Sequence, residues 1–226
     1  MEHRRHGDVI REMLDLDGKT VLDIGCGDGS LSRLLARAGA HVTGLECNLP
    51  QLQRAKESEP VADETYLEGI GEDQPVEDAS VDIAIFFNSF HHIDPANMGA
   101  ALAETQRTLK PGGQLLIIEP LAEGPQYQLT RMIDDEFEVR ALAYETIKAG
   151  RDYGFKEKTE YGYIFNNIHK SLDKFRERSC RVDPARADIF EEHGATIRQT
   201  FEEFGKPVET GFAFEQPMRA NLLEKI

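Results

Sequence analysis

The sequence predicts a three-layer α/β domain on a mostly parallel sheet of seven strands, the last of them antiparallel and supplied by the C-terminus. Three observations lead there. The first half alternates short β-branched runs with helical stretches, the arrangement of a parallel sheet with crossover helices. Its first strand runs directly into a glycine-rich turn, Gly25-Cys-Gly-Asp-Gly29. The chain closes on an alternating segment, Gly211–Leu222, that reads as one last strand.

Each element has its own signal. Residues 7–16 predict a short amphipathic helix, and 19–24 (KTVLDI) a buried strand. Residues 30–38 (SLSRLLARA) put Leu31, Leu34 and Leu35 on one helical face, with Gly39 as the stop. A second strand is expected over 41–45, a helix from about 49 to 57, and a brief third strand over 66–69. Val81 to Phe87 (VDIAIFF) is the strongest strand signal. The next helix, 97–109, should end at Lys110-Pro-Gly-Gly113, which cannot continue it. Residues 114–119 (QLLIIE) predict the fifth strand. Beyond it, 126–149 is expected as one helix, 159–165 (TEYGYIF) as a strand, and 184–204 as a charged helix. In the closing strand Phe212, Phe214, Gln216, Met218 and Ala220 share a face, although Pro217 weakens the case for a central position.

The chain has 226 residues, 40% of them hydrophobic, enough for the core of a single domain spanning 1–226. Within it, residues 121–153 are expected as a helical lid insertion and 167–207 as a helical insertion before the last strand. No apolar run approaches the roughly 20 residues of a membrane span, and the first residues lack the apolar segment of an export signal. A cytoplasmic protein without a membrane partner is therefore expected. Cys26, Cys47 and Cys180 show no paired spacing, which argues against a disulfide framework or a zinc cluster and fits a reducing compartment. A net charge of −15 repels phosphate backbones, so nucleic acid is not an expected partner. The oligomeric state leaves no mark in the sequence.

The segment Val21-Leu-Asp-Ile-Gly-Cys-Gly-Asp-Gly-Ser30 carries the most chemistry. Its glycines let the backbone turn sharply and come close to a ligand. The spacing is G-x-G-x-G rather than the G-x-G-x-x-G of dinucleotide sites. Glu46, about twenty residues on at the tip of the second strand, is placed to accept hydrogen bonds from both hydroxyls of a ribose.

This segment resembles motif I of the class I S-adenosylmethionine-dependent methyltransferases, in particular the type 11 group. The likeness continues in order through Gly69-Ile-Gly-Glu-Asp-Gln-Pro75, Val81-Asp82, Phe87-Asn-Ser-Phe-His-His-Ile93 and Leu109-Lys-Pro-Gly-Gly113, covering roughly residues 18–120. It implies a Rossmann-like fold and S-adenosyl-L-methionine as cofactor. By resemblance, Asp23 lies near the methionine ammonium, Gly25 and Gly27 line the amino-acid moiety, and Glu46 takes the ribose. Cys47 lies against the adenine, Gly71 offers backbone to an adenine nitrogen, and Asn88 belongs to the cofactor set. Where the family often has an aspartate for the adenine amino group, this chain has Ile70; Glu72 takes over that contact, or Ile70 packs on the ring.

The implied activity is methyl transfer to a small-molecule acceptor, with oxygen, nitrogen, carbon or sulfur left open. A base is required only if the acceptor must lose a proton, and His91 and His92 are the candidates because imidazole titrates near neutrality. No metal is expected: adjacent histidines in an extended segment point to opposite sides, and no third ligand spacing is evident. Glu119 is expected to face the transferred methyl, and Arg131, Arg140 and Tyr144 to offer polar handles to the acceptor. The competing view makes both arginines helix partners of Asp135 and Glu136. A protein-modifying methyltransferase and a non-catalytic binder of the cofactor or its demethylated product are the alternative functions.

Overall fold

The structure, a computed structural model, describes all residues from Met1 to Ile226. The first half holds β1 (Glu2–His3), α1 (His6–Met13), β2 (Thr20–Ile24), α2 (Ser30–Arg37), β3 (His41–Glu46), α3 (Leu49–Glu57), β4 (Thr65–Glu68), β5 (Val81–Phe87) and α4 (Met98–Thr108). The second half holds β6 (Leu109–Pro120), α5 (Gly124–Thr130), α6 (Phe137–Lys148) and β7 (Phe155–His169). It ends with α7 (Leu172–Val182), α8 (Arg186–Phe204), β8 (Lys206–Val208) and β9 (Gly211–Lys225). No helix is long and apolar enough to cross a membrane.

The chain packs as two compact units. The larger comprises 5–119, 139–161 and 219–226; the smaller comprises 1–4, 120–138 and 162–218. In the larger unit the strand order is β7-β9-β6-β5-β2-β3-β4. β2 pairs in parallel with β3 on one side and β5 on the other, and β3–β4 and β5–β6 are also parallel. The chain therefore steps outward from β2 in both directions, and the crevice between the carboxyl ends of β2 and β5 is where such sheets bind ligands. Its core joins Leu22, Ile24, Phe86, Leu115 and Ile117 of the strands, and Phe90 just beyond β5, to Met98 and Leu102 of α4 and Ala143 and Ile147 of α6. Each large apolar side chain buried there contributes about 1.5–3 kcal/mol.

The smaller unit carries β1 beside β7, the antiparallel β8–β9 pair, and its own core of Leu129, Phe175, Phe190, Ile197, Phe201 and Phe214. The mostly parallel sheet with its antiparallel C-terminal strand has the expected architecture, with nine strands rather than seven because β1 and β8 are too short to leave a pattern.

Three elements differ from expectation. The helix predicted over 126–149 is broken between α5 and α6, because Asp135 accepts both the Tyr127 hydroxyl (2.6 Å) and the Phe137 backbone N–H (3.2 Å). A carboxylate offering that local bond starts a new helix in preference to continuing the old one. The expected Arg131–Asp135 pair is lost with the helical spacing, and Arg131 instead lies over the Tyr127 ring at 5.7 Å. The expected lid segment is thus divided, α5 falling in the smaller unit and most of α6 in the larger. Lys110–Gly113 does end α4, yet it belongs to β6, as a bulge opposite Val81–Ile83. Finally, α7 falls inside the helical insertion expected over 167–207, although no separate helix was expected there: it buries little beyond Phe175 and Ser179, and Ser171 caps it through the Lys174 N–H (3.2 Å).

Candidate active site

The glycine turn after β2 is built by backbone. The Gly25 and Cys26 N–H groups donate to the Leu45 carbonyl (2.8 and 3.0 Å), binding the turn to β3. Gly25 has φ +74°, and a Cβ there would stand 2.5 Å from that of Ser89, so no other residue fits. Gly27, with φ +58°, has open space where its Cβ would be. Its N–H donates to Glu46 Oε2 (2.7 Å), while the Asn48 N–H donates to Oε1 (2.7 Å). Glu46 braces the turn through both oxygens, and each keeps a lone pair for a further donor.

Asp23 is completely buried, its Oδ2 accepting from the Ser32 hydroxyl (2.6 Å) and its Oδ1 lacking any partner. Burial, reinforced by the nearby Glu46 charge, pushes its carboxyl up to about 7. Asn88 holds φ +52°, a strained conformation for a residue with a Cβ, and its Oδ1 is likewise buried and unpartnered. Next to it the Ser89 hydroxyl donates to the Ile24 carbonyl (2.6 Å), joining the tips of β2 and β5. Two orphaned acceptors flanking an open glycine turn fit a ligand that brings N–H donors, as the methionine ammonium of the expected cofactor does.

The adenine side is looser. Burial and then the Glu46 carboxylate push the Cys47 thiol up, and Glu72 adds to the shift. Ile70 is 42% exposed, available to pack on a ring. Gly71 is buried against Ile93, and its carbonyl accepts from Gln74 Nε2 (2.9 Å). Glu72 accepts from Asn97 Nδ2 (3.2 Å).

On the acceptor side, Glu119 does not present a bare carboxylate. Only 4% exposed, it accepts from the Ser89 and Phe90 N–H groups (3.2 and 3.0 Å) through Oε1, and its Oε2 bonds Nδ1 of the buried His91. An ionised carboxylate only accepts, so with Glu119 ionised the donor in this pair is the Nδ1–H of His91. His92 is exposed, its ring 4.1 Å from that of His91. Tyr144 and the half-buried Arg140 lie in the larger unit, and Arg131, exposed, in the smaller.

Sequence reasoning missed Ser32, Ser89 and Arg219 here. Ser32 and Ser89 sit in ordinary helical and turn contexts with no spacing to mark them. His6 stands edge-on to Phe87 (4.8 Å), and burial lowers its imidazole to about 4, so it is neutral at physiological pH. Arg219 lies over the Tyr144 ring at 3.3 Å. A charged residue inside the alternation of the last strand was the available signal for it.

Comparison with known proteins now decides the family. Residues 22–117 match the model of a methyltransferase domain. An uncharacterized methyltransferase of Synechocystis is 33% identical over 52% of this chain and 55% of its own length. The ubiquinone biosynthesis O-methyltransferase of Pseudomonas paraeruginosa is 30% identical over 71% of this chain and 75% of its own. The chain belongs to the class I S-adenosylmethionine-dependent methyltransferases. A methyltransferase of this kind from Methanosarcina mazei shares the fold, with a TM-score of 0.58, 15% identity and coverage of 96% and 97% of the two chains. The chain spans little more than half the length of the first of the curated relatives, so membership of this methyltransferase family is established at the level of the domain. The cofactor of that family is S-adenosyl-L-methionine.

Proposed function

We propose that the chain transfers the methyl group of S-adenosyl-L-methionine to an oxygen of a small-molecule acceptor. The observation that carries this reading is the His91–Glu119 pair at the carboxyl ends of β5 and β6. A sulfur acceptor needs no base, whereas a hydroxyl must lose its proton as it is methylated. The cofactor, when bound, supplies a methyl already activated by its sulfonium. The chain's own groups do the rest. Glu46 orients the ribose with its remaining lone pairs, Asp23 and Asn88 accept from the ammonium, and Gly27 leaves room for the ligand's approach. Glu119 fixes the tautomer and angle of His91, whose Nε2 takes the acceptor's proton; alignment provides most of the rate. The name of the Pseudomonas relative supports both an oxygen acceptor and a small one.

The test is S-adenosylhomocysteine formation with a metabolite extract, comparing the protein with His91→Gln and Glu119→Gln. The proposal expects turnover to fall at least tenfold in both, with affinity for S-adenosylhomocysteine retained. Wild-type turnover in His91→Gln would contradict the role of His91 and favour an acceptor that needs no base.

A further inference from the structure

In the last stretch of β9, Leu223 joins the same core as Leu115, Ile117, Ala143 and Ile147, so Asn221 and Arg219, two and four residues earlier, share its face. Glu119, two residues beyond Ile117, lies on that face of β6 as well. There the Arg219 guanidinium is stacked 3.3 Å above the Tyr144 ring. Its Nε is enclosed by protein and has no hydrogen-bond acceptor, and no carboxylate stands within ion-pair distance. The obvious counter-ion, Glu160, is engaged elsewhere. It accepts from the Tyr144 hydroxyl (3.1 Å) and Asn221 Nδ2 (2.9 Å), and it faces Lys148 at 3.6 Å. Burial lowers the proton affinity of Arg219, and its neighbours Tyr144, Glu160 and Glu119 act against that. A guanidinium does not deprotonate in a protein, so this is a half-buried cation held in place by an aromatic face, with its in-plane donors short of an anion.

We propose that Arg219 anchors a carboxylate carried by the small-molecule acceptor, beside the His91–Glu119 pair; this deepens the reading of the site as an acceptor pocket and rests on it. The ring of Tyr144 occupies one face of the guanidinium, which leaves edge-on pairing, the geometry that matches a planar carboxylate. The negative charges of Glu119 and Glu160 nearby favour a single-charge anion over a phosphate dianion. Carboxylate binding satisfies the stranded cation, and a neutral analogue leaves it as it is. That difference makes Arg219 a specificity-determining residue.

The test reads the guanidinium directly. The Nε–H resonance of Arg219, assigned by its absence in Arg219→Lys, is followed in nitrogen-labelled protein with and without S-adenosylhomocysteine. The probes are acetate, phenylacetate and octanoate, each against its amide. A saturable shift with a carboxylate and none with its amide is expected. No shift with any carboxylate at millimolar concentration, or an equal shift with the amide, overturns the proposal. In the transfer assay Arg219→Lys and Arg219→Met should raise the acceptor's KM about tenfold to a hundredfold with S-adenosylhomocysteine affinity unchanged. Thermal melting establishes that both variants are folded, and a folded Arg219→Met with wild-type KM also overturns the idea. If the protein binds no S-adenosylhomocysteine at all, the cofactor reading fails, and the resonance titration still reports on Arg219.

Discussion

Replacing Glu46 by glutamine tests the site at its hinge. Both carboxylate oxygens accept a backbone N–H at 2.7 Å, one from Gly27 and one from Asn48. Glutamine keeps one of these bonds through its carbonyl and turns its NH₂ toward the other donor. A buried donor left unmade costs about 1–3 kcal/mol, so Glu46→Gln should lose about 2 kcal/mol of stability. Alanine strands both donors and should lose about twice that. For a chain of this size each kcal/mol moves Tm by about 2–4 °C, putting the glutamine variant some 4–8 °C below the parent. The same carboxylate is assigned to the ribose, where losing charge-assisted bonds costs a further 1.5–3 kcal/mol, about a tenfold to hundredfold weaker Kd. Calorimetry measures both, by melting and by titration with S-adenosylhomocysteine. Lower Tm with unchanged affinity would show that Glu46 only braces the turn. Unchanged Tm and unchanged affinity would refute the reasoning for this carboxylate altogether.

Other consequences follow from the same geometry. Asp23 holds its proton up to about pH 7 when folded and loses it near 3.8 when unfolded, so it makes stability fall as pH rises from about 4 to 7. Asp23→Asn should therefore gain on the parent across that window, by up to roughly 4 kcal/mol, in denaturant melts at pH 4 and pH 8; parallel pH dependences would contradict the burial argument. Binding an ammonium beside Asp23 should also expel a proton near pH 6.5, seen as a buffer-dependent heat of S-adenosylmethionine binding. Arg131→Ala should leave acceptor kinetics and melting unchanged, since Arg131 is exposed and only overlies Tyr127; a raised KM would restore it to the acceptor site. Gel shifts at low salt should show no saturable polynucleotide binding at micromolar protein, given the −15 charge.

The parallel half of the fold was legible because its signals are local. Val81–Phe87 is an uninterrupted apolar run, and the glycine turn carries its own conformational requirement, so β5 and the β2 turn fall where expected. The second half was harder for physical reasons. The break between α5 and α6 depends on which donors Asp135 finds, and α7 buries too little to declare itself. Gly25, Gly27 and Glu46 were legible in the sequence, and the structure brings them together at one turn. Glu119 illustrates the limit: a glutamate at a strand tip looks like a ligand-facing charge, and only packing reveals that its oxygens are taken by Ser89, Phe90 and His91. Arg219 was hidden in the opposite way. Alternation marks its face, yet nothing in the sequence shows that its neighbours leave it without an anion.

The function proposed for this glycine turn and its acceptors is to hold S-adenosyl-L-methionine for methyl transfer to a small molecule. The most direct measurement incubates the protein with methyl-labelled cofactor and a metabolite extract, then resolves both products. S-adenosylhomocysteine is expected in step with label in a low-molecular-weight, oxygen-methylated compound. Cofactor that binds yet yields no S-adenosylhomocysteine with any extract, or label found only in protein, would contradict it.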